Sequence, residues 1–249
     1  MKQYHIACEP GDIGKYVILT GDPGRVEKVA SYLENPVFVA ENREFVSWNG
    51  YLAGEKVTVL STGIGGPSAA IAVEEAVKCG AHTFIRVGTS GGMALDVKGG
   101  DVVVASAAVR QEGTTLHYAP PEYPAVADFS VTEALVAAAR EGDRDFHVGV
   151  VQSKDSFYGQ HEPEKSPVAG ELLSKWDAYM KLGVLCSEME CAAIFTVAAS
   201  LGVRAGAALG VLWNKDRRKR GLRDEDHLET APALELVVNA LEKLIISEK

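Results

Sequence analysis

The chain has 249 residues, 47% hydrophobic and 24% charged, which is enough to bury the core of one sizeable domain spanning 1–249. Its formal net charge is −9, so no long-range field draws it to nucleic acid or an anionic membrane, and any bound anion needs a local cluster of positive groups. No apolar run reaches the roughly 18 residues of a membrane span, the first residues lack a signal peptide's apolar stretch, and the four cysteines have neither disulfide-framework nor zinc-site spacing. We therefore predict a soluble, cytoplasmic protein with reduced thiols and no nucleic-acid or membrane partner.

Apolar runs of strand length alternate along the chain with longer segments of helical period. The first run, YVILT at 16–20, predicts a buried strand, and a helix is predicted to follow over 26–33. Residues 45–61 predict a meander, with turn signals at Asn49-Gly50 and at Gly54-Glu55.

The rest of the chain continues this alternation. A helix is predicted over 67–78, with proline near its first turn and Gly80 just past its end. Later strands are predicted at 83–87, 101–109, 148–152 and 204–212, and later helices at 132–140, 170–182, 190–201 and 231–246. This order predicts a single-domain, three-layer α/β/α fold with a central mixed β-sheet and helices on both faces.

Three glycine-rich turns are each predicted to follow a strand, at 21–25, 63–67 and 88–92. Ligands of open α/β sheets bind outside the carboxyl ends of the strands, and glycine lets backbone N–H groups approach an anion closely. Arg25 and Arg86 lie in or beside two of these turns, and arginine binds phosphate through two parallel hydrogen bonds. Arg86 is embedded in an apolar strand, where a charge is costly to bury without an anionic partner. Since no turn fits a dinucleotide fingerprint or a P-loop, we predict a small-molecule enzyme with a phosphate-sized anion site.

Seven segments of the chain resemble, in order and spacing, the nucleoside phosphorylase family and its uridine phosphorylase branch. They are GDPGRVEKVA, NREF, STGIGGPSAAIAVEEA, RVGTSG, LHYAP, DSFYGQ and SEMECAA, and together they span nearly the whole chain. The resemblance implies a pentosyltransferase that converts uridine and phosphate to uracil and ribose 1-phosphate in nucleotide salvage or catabolism. It also implies a homo-oligomer of dimers forming a hexamer, with phosphate as co-substrate and no organic cofactor.

The resemblance assigns a role to each matching position. The expected phosphate-binding residues are Gly21, Arg25, Arg86, Thr89 and, from a neighbouring subunit, Arg43. Those expected at the ribose are His5, which would reach across a subunit interface, and Glu188, Met189 and Glu190. Those expected at the base are Phe157, Gln160 and Asn214. A monovalent cation such as potassium is expected at Glu44, Ile64 and Ser68. The catalytic residues would be Arg86, Glu190 and Gln160.

Some of these residues also have a simpler interpretation. Glu190 begins a predicted helix, where the helix dipole favours an acidic side chain without any ligand. Phe157 suits a hydrophobic core, and His5 near the terminus suits an exposed surface.

One position departs from the family's pattern. The well-known bacterial uridine phosphorylases carry an arginine two residues after the base-pairing glutamine, and this chain has Glu162 there. Lys165, a basic residue of 215–220 or water would then contact the base, or the base preference differs.

Three other functions stay open. In a purine nucleoside phosphorylase an aspartic acid protonates purine N7 from about the position of Asn214, whose amide cannot act as an acid. A nucleoside hydrolase of the same fold needs no pair of arginines to bind phosphate. A non-catalytic nucleoside-binding protein has no use for a site that holds the nucleophile.

Overall fold

The computed structural model describes residues 1–228 and 231–249. Within them the strands are β1 Tyr16–Thr20, β2 Glu34–Asn42, β3 Phe45–Leu52, β4 Glu55–Ser61, β5 Thr83–Gly92, β6 Val102–Gln111, β7 Ala125–Val126, β8 Phe146–Lys154, β9 Cys186–Glu188 and β10 Arg204–Trp213. The helices are α1 Val26–Ala30, α2 Gly66–Lys78, α3 Phe129–Glu141, α4 Phe157–His161, α5 Ala169–Lys181, α6 Cys191–Ser200, α7 Lys215–Lys219 and α8 Ala231–Ser247. None of these helices is both long and apolar enough to cross a membrane.

The ten strands form one mixed sheet that is partly closed on itself. β5 pairs in parallel with β1 and with β10, and at its end it pairs antiparallel with β9. From β10 the hydrogen bonding continues through β6 and β8 to β9, so five strands close into a ring. From β5 the sheet extends outwards through β1, β4, β3 and β2. The carboxyl ends of the parallel strands β1, β4, β5 and β10 therefore share one edge, where the predicted ligand site lies.

The core has one buried apolar cluster on each face of the sheet. Val17 and Leu19 of β1 belong to one cluster and Tyr16 and Ile18 to the other, because successive side chains of a strand point to opposite faces. α2 and α6 pack on the first face, and α3 and α8 pack on the second. α6 is buried at every position over 191–198, as expected for a helix that is hydrophobic all round. The predicted fold class, a mixed sheet with helices on both faces, is confirmed.

The predicted turn at Asn49-Gly50 is wrong. Both residues lie inside β3, where the Asn49 side chain donates a hydrogen bond to the Asp12 carbonyl at 2.8 Å. Gly50 is needed there because a Cβ atom would lie 2.5 Å from the Cβ of Leu33. The other predicted turn, at Gly54-Glu55, is confirmed to within one residue: the hairpin turns at 53–54, where both residues have positive φ, as a type I′ turn requires.

Two further predictions need correction. Residues 88–92 do not form a turn: they continue β5, because Gly91 pairs with Trp213 of β10 and with Ser187 of β9. The first helix is also shorter than the predicted 26–33, because the chain turns after Ala30 and begins β2 at Glu34.

Candidate active site

A cavity of about 620 Å³ opens at the edge where β1, β4 and β5 end. Its wall combines the turns after β1 and β4, the end of β5, the segment 187–190 that leads into α6, and the start of α4. The predicted site residues that line it are Gly21, Arg25, Glu44, Ile64, Ser68, Arg86, Thr89, Phe157, Glu188, Met189 and Glu190. Residues predicted to bind phosphate and to bind ribose therefore meet in one cavity, although the chain separates them by about a hundred residues or more.

The end of this cavity that is predicted to bind phosphate is built on the turn after β1. Asp22 caps a short 3₁₀ turn by accepting a hydrogen bond from the Gly24 N–H at 2.9 Å. The Arg25 Nε atom lies 3.6 Å from the Asp22 carboxylate, and the Arg25 side chain is partly exposed. This loose, solvated pair leaves the guanidinium free to bind an anion at little cost.

A buried ion-pair cluster forms the floor of the cavity. Arg86 is only 3% exposed, with its Nε atom 3.1 Å from Glu188 Oε2 and its Nη2 atom 2.5 Å from Glu190 Oε2. Burial alone would lower the pKa of Arg86, but the two carboxylates outweigh it and raise the pKa, so the guanidinium stays charged. Gly88 leaves room for this group, because a Cβ atom there would lie 2.7 Å from Arg86 Nη2.

The two carboxylates have different environments. Glu188 accepts hydrogen bonds from the backbone N–H groups of Glu190 at 2.9 Å and Cys191 at 3.0 Å, and from the Ser153 hydroxyl. Glu190 makes no capping bond to α6, and instead accepts from the Gly65 N–H at 2.6 Å. Burial raises the pKa of Glu190, the Arg86 charge opposes this, and the net shift is upward. Glu188 thus satisfies the start of the helix, which corrects the simpler interpretation of Glu190.

A second cavity of about 350 Å³ adjoins the first and shares Gly91, Lys154 and Trp213 with it. Gln160 lines this second cavity, and its Oε1 atom accepts a hydrogen bond from the Ser187 hydroxyl at 2.7 Å. The same hydroxyl accepts from the Lys154 ammonium at 2.8 Å. Lys154 is not among the residues predicted from the sequence, although it is a cation at the end of a strand, the signal that identified Arg86.

Aromatic rings stand at the junction of the two cavities. Phe157 is 45% exposed and lines the first cavity, which excludes the simple core interpretation. Its ring centroid lies 4.2 Å from that of His161, which in turn lies 6.2 Å from that of Trp213. Burial, together with the charges of Lys215 and Lys154, lowers the pKa of His161 to about 4, so its imidazole is neutral at pH 7. The rings thus form an uncharged surface suited to stacking on a sugar or a base.

The structure contradicts the prediction that Asn214 contacts the base. Its side chain is fully buried and lines neither cavity. Its amide nitrogen donates to the carbonyls of Ala94 and Val97, both at 2.8 Å, and its oxygen accepts from the N–H groups of Asp216 and Arg217. Asn214 therefore caps α7 and anchors the end of β10, and an aspartate there could not donate the first two bonds.

His5, which is partly buried, and the exposed Arg43 both contact Tyr4 and line neither cavity of this chain. The His5 Nδ1 atom lies 2.6 Å from a Glu75 carboxylate oxygen, and the Asn42 side chain donates to the His5 carbonyl at 2.7 Å. The exposed guanidinium of Arg43 stacks over the ring of Tyr4, 5.6 Å from its centroid. Neither side chain reaches the cavity of its own chain.

Of the remaining predicted positions, some line a cavity and others do not. Glu162 and Lys165 pair with each other at 2.5 Å and line neither cavity, whereas Lys215 and Lys219 line the second. At the mouth of the first cavity the Ser68 hydroxyl donates to Glu44 Oε1 at 2.9 Å. Within residues 1–228 and 231–249, no group of three or more His, Cys, Asp or Glu side chains is arranged to hold a metal ion.

Comparison with known proteins agrees with this geometry. The profile of the phosphorylase superfamily matches residues 15–247. The chain is 50% identical to the uridine phosphorylase of Treponema pallidum (strain Nichols), covering 99% of this chain and 95% of that protein, and 40% identical to the uridine phosphorylase of Salmonella typhimurium (strain LT2), covering 97% and 98%. It is also 42% identical to the guanosine phosphorylase of Halorubrum lacusprofundi, covering 83% of this chain and 81% of that protein. The chain is a member of the phosphorylase superfamily.

Proposed function

We infer that the chain is a pentosyltransferase that cleaves uridine with phosphate to give uracil and ribose 1-phosphate. The observation that carries this proposal is the cluster in which Arg86 meets both Glu188 and Glu190 on the floor of a nucleoside-sized cavity. The names of the uridine phosphorylase relatives agree with it.

The cluster matches what breaking a ribosyl bond requires. The sugar gains positive charge as the bond breaks, as in glycoside hydrolysis, so carboxylates near its hydroxyls favour the transition state. Glu190 has one oxygen on Arg86 and the other on the Gly65 N–H, so it faces the cavity in a fixed orientation. Phosphate bound by Arg25, Arg86 and Thr89 would then lie within attack distance of the anomeric carbon, which removes the entropy of a bimolecular encounter.

The second cavity would receive the base. Gln160 has its oxygen on Ser187, and among the residues that the structure describes its amide N–H groups have no acceptor, so they can donate to a carbonyl of the base. Phe157 at the junction would stack on the sugar or on the base. A pyrimidine leaves as an anion with its charge on the carbonyl oxygens, so donors at this end lower the barrier.

We also propose a homo-oligomer, dimers assembling into a hexamer, in which Arg43 and His5 complete the site of a neighbouring subunit. This arrangement is supported by the fact that neither residue lines a cavity of its own chain. A mixture of two inactive variants, Arg43→Ala and Glu190→Ala, should regain activity after subunit exchange. Mixtures that stay inactive after proven exchange would contradict the shared site.

Two smaller proposals complete the assignment. A monovalent cation such as potassium would bind at Glu44, Ser68 and the Ile64 backbone, where a carboxylate and a hydroxyl oxygen lie 2.9 Å apart. Activity in potassium should then exceed activity in a bulky organic cation at equal ionic strength. We place the protein in the cytoplasm because all four cysteines are free thiols.

The activity is tested by incubating the protein with a panel of nucleosides, with and without phosphate. We expect free uracil and ribose 1-phosphate from uridine only when phosphate is present, and slower cleavage of cytidine, inosine and guanosine. Equal cleavage without phosphate would identify a hydrolase instead. A higher kcat/KM for guanosine or inosine than for uridine would overturn the pyrimidine assignment and leave the phosphorolysis in place.

A further inference from the structure

Lys154 is a buried cation at the junction of the two cavities. It is the last residue of β8, it is 6% exposed, and it lines both cavities. Its ammonium donates to the Ser187 hydroxyl at 2.8 Å and to the Glu188 carbonyl at 3.4 Å. An ammonium has three N–H groups, so in the part of the chain that the structure describes one donor is left for a ligand.

Within the described residues, no carboxylate neutralises this ammonium by direct contact. Among residues 1–228 and 231–249, no carboxylate oxygen lies within 4.0 Å of Lys154 Nζ, because Arg86 takes the oxygens of Glu188 and Glu190 that face the cavity. A buried charge without a paired ion is costly, and such a charge is retained where a ligand of opposite charge arises. The position of the ammonium therefore indicates where negative charge develops.

We propose that Lys154 contacts the departing base and stabilises the negative charge that forms on it, a role that rests on the proposed phosphorolysis. A phosphate oxygen forms a bond to C1′ as the C1′–N1 bond breaks, and the electron pair of that bond stays on the base. A carbonyl oxygen of the base anion then accepts a hydrogen bond from the free N–H of Lys154. Hydrogenphosphate loses its proton on becoming the ribose 1-phosphate dianion. The base anion takes up one proton, so uracil is released as a neutral molecule.

The other lysines near the base do not meet the same requirements. Lys165 pairs with Glu162, lines neither cavity and has a side chain that is 76% exposed. Lys215 and Lys219 line the second cavity but are exposed, and an exposed charge acts through a high effective dielectric constant. The buried ammonium of Lys154 therefore interacts with a nearby anion several times more strongly.

The charged state of Lys154 fits this role. Burial lowers its pKa to about 8, against the opposing effect of Glu188, Glu190 and Cys186, and His161, which lines the second cavity with it, is neutral at pH 7. The amine is thus mostly protonated at pH 7 and loses its charge in a mildly basic range. Cleavage of uridine should fall as the pH rises through this range.

The test compares Lys154→Met and Lys154→Gln with the matched control Lys165→Met on uridine, 5-fluorouridine and 5-methyluridine. Fluorine makes the departing base less basic, so it needs less stabilisation, and the methyl group controls for the size of the substituent. We expect both Lys154 variants to lose about 10²- to 10³-fold in kcat/KM for uridine and 5-methyluridine, as for other lost transition-state donors. The loss for 5-fluorouridine should be smaller, the KM for phosphate should hold, and Lys165→Met should match the unmodified chain.

Three results would overturn the proposal. The first is an equal loss for all three nucleosides, which would indicate that Lys154 only positions Gln160 through Ser187. The others are a retained kcat/KM in the Lys154 variants, or a dependence on the leaving group that only Lys215→Met shows. The variant Lys154→Arg, which keeps a positive charge at this position at every pH tested, covers the case in which the uncharged variants do not fold. Above pH 8 the uridine activity of the unmodified chain should fall more steeply than that of Lys154→Arg, and parallel falls would contradict the role. Absence of phosphate-dependent cleavage in the unmodified chain would instead refute the proposed function itself.

Discussion

Arg86→Met tests whether the ion-pair cluster is organised as the structure shows. The substitution removes a guanidinium that lies 3.1 Å from one buried carboxylate and 2.5 Å from another, and it leaves Glu188 and Glu190 without a cation in contact. Removing one partner of a buried ion pair costs about 3–5 kcal/mol of unfolding free energy. For a chain of this length that corresponds to a fall in Tm of about 6–20 °C.

The pH dependence gives the prediction its sign. Burial already holds the pKa of Glu190 above its ordinary value, and Arg86 limits that rise. Without Arg86 the pKa rises further, so the folded variant binds a proton that the unfolded chain has released. Stability then falls as the pH rises between the ordinary and the raised pKa. The deficit of Arg86→Met should therefore be larger at pH 8 than at pH 5.5.

The assay is urea unfolding followed by intrinsic fluorescence, in phosphate-free buffer and at one fixed protein concentration, because the proposed oligomer would unfold in a concentration-dependent way. The double variant Arg86→Met/Glu190→Gln serves as the control, since it removes one unpaired charge and should recover part of the lost stability at pH 8. A deficit that is equal at both pH values, or a double variant less stable than the single one, would refute the reasoning.

Three further predictions follow from other contacts. Gly88→Ala places a Cβ atom 2.7 Å from the Arg86 guanidinium, so kcat/KM should fall about 10²-fold and the free energy of unfolding by about 1–3 kcal/mol. An unchanged kcat/KM would contradict the close packing. Burial alone would raise the pKa of Glu75, but hydrogen bonds from the backbone N–H groups of His5 and Ile6 and from the His5 side chain lower it. Glu75→Gln should therefore speed hydrogen exchange in the first eight residues, and unchanged exchange would contradict these contacts. Burial would also raise the pKa of Glu248, yet hydrogen bonds from a tyrosine and two basic side chains lower it to about 2. The stability that ionised Glu248 contributes should therefore be lost as the pH falls from about 4.5 to 2, and Glu248→Gln should abolish that part of the loss of stability in urea titrations at acid pH.

Elements with strong local signals were predictable from the sequence. β1 was predicted at its observed bounds, because five consecutive apolar or β-branched residues before a glycine-rich turn leave few alternatives. α2 begins one residue before its predicted start, since proline near the first turn and glycine past the end mark both boundaries.

Elements imposed by tertiary contacts were not predictable. β9 has only three residues, Cys186–Glu188, and its strand conformation depends on pairing with β5 and β8, which closes the ring. β2 is exposed over its first half and contains a proline, so its sequence carries little strand signal. Residues 88–92 have the composition of a turn, and only two neighbouring strands hold them extended.

The candidate site shows the same division. A lone arginine in an apolar strand predicted that Arg86 has an anionic partner, but spacing alone could not predict carboxylates more than a hundred residues away. Their assignment to the ribose, and that of Gln160 to the base, come from the family resemblance and stay predictions. Asn214 shows the limit of that transfer, because a matching position does not decide which way a side chain points.

The charged side chains that line the cavities match the charges that develop during phosphorolysis. The transition state of phosphorolysis carries negative charge on the phosphate, positive charge on the sugar and negative charge on the base. The cavities present complementary groups, with Arg25 in the turn after β1, Arg86 paired with Glu188 and Glu190 on the floor of the first cavity, and Lys154 where the two cavities meet. Free uridine has no such charge separation, so these fixed charges interact more strongly with the transition state than with the nucleoside, which is the condition for raising kcat. Arg86, Lys154 and the two carboxylates sum to zero formal charge when all are ionised, so the chain buries this field without a large net charge.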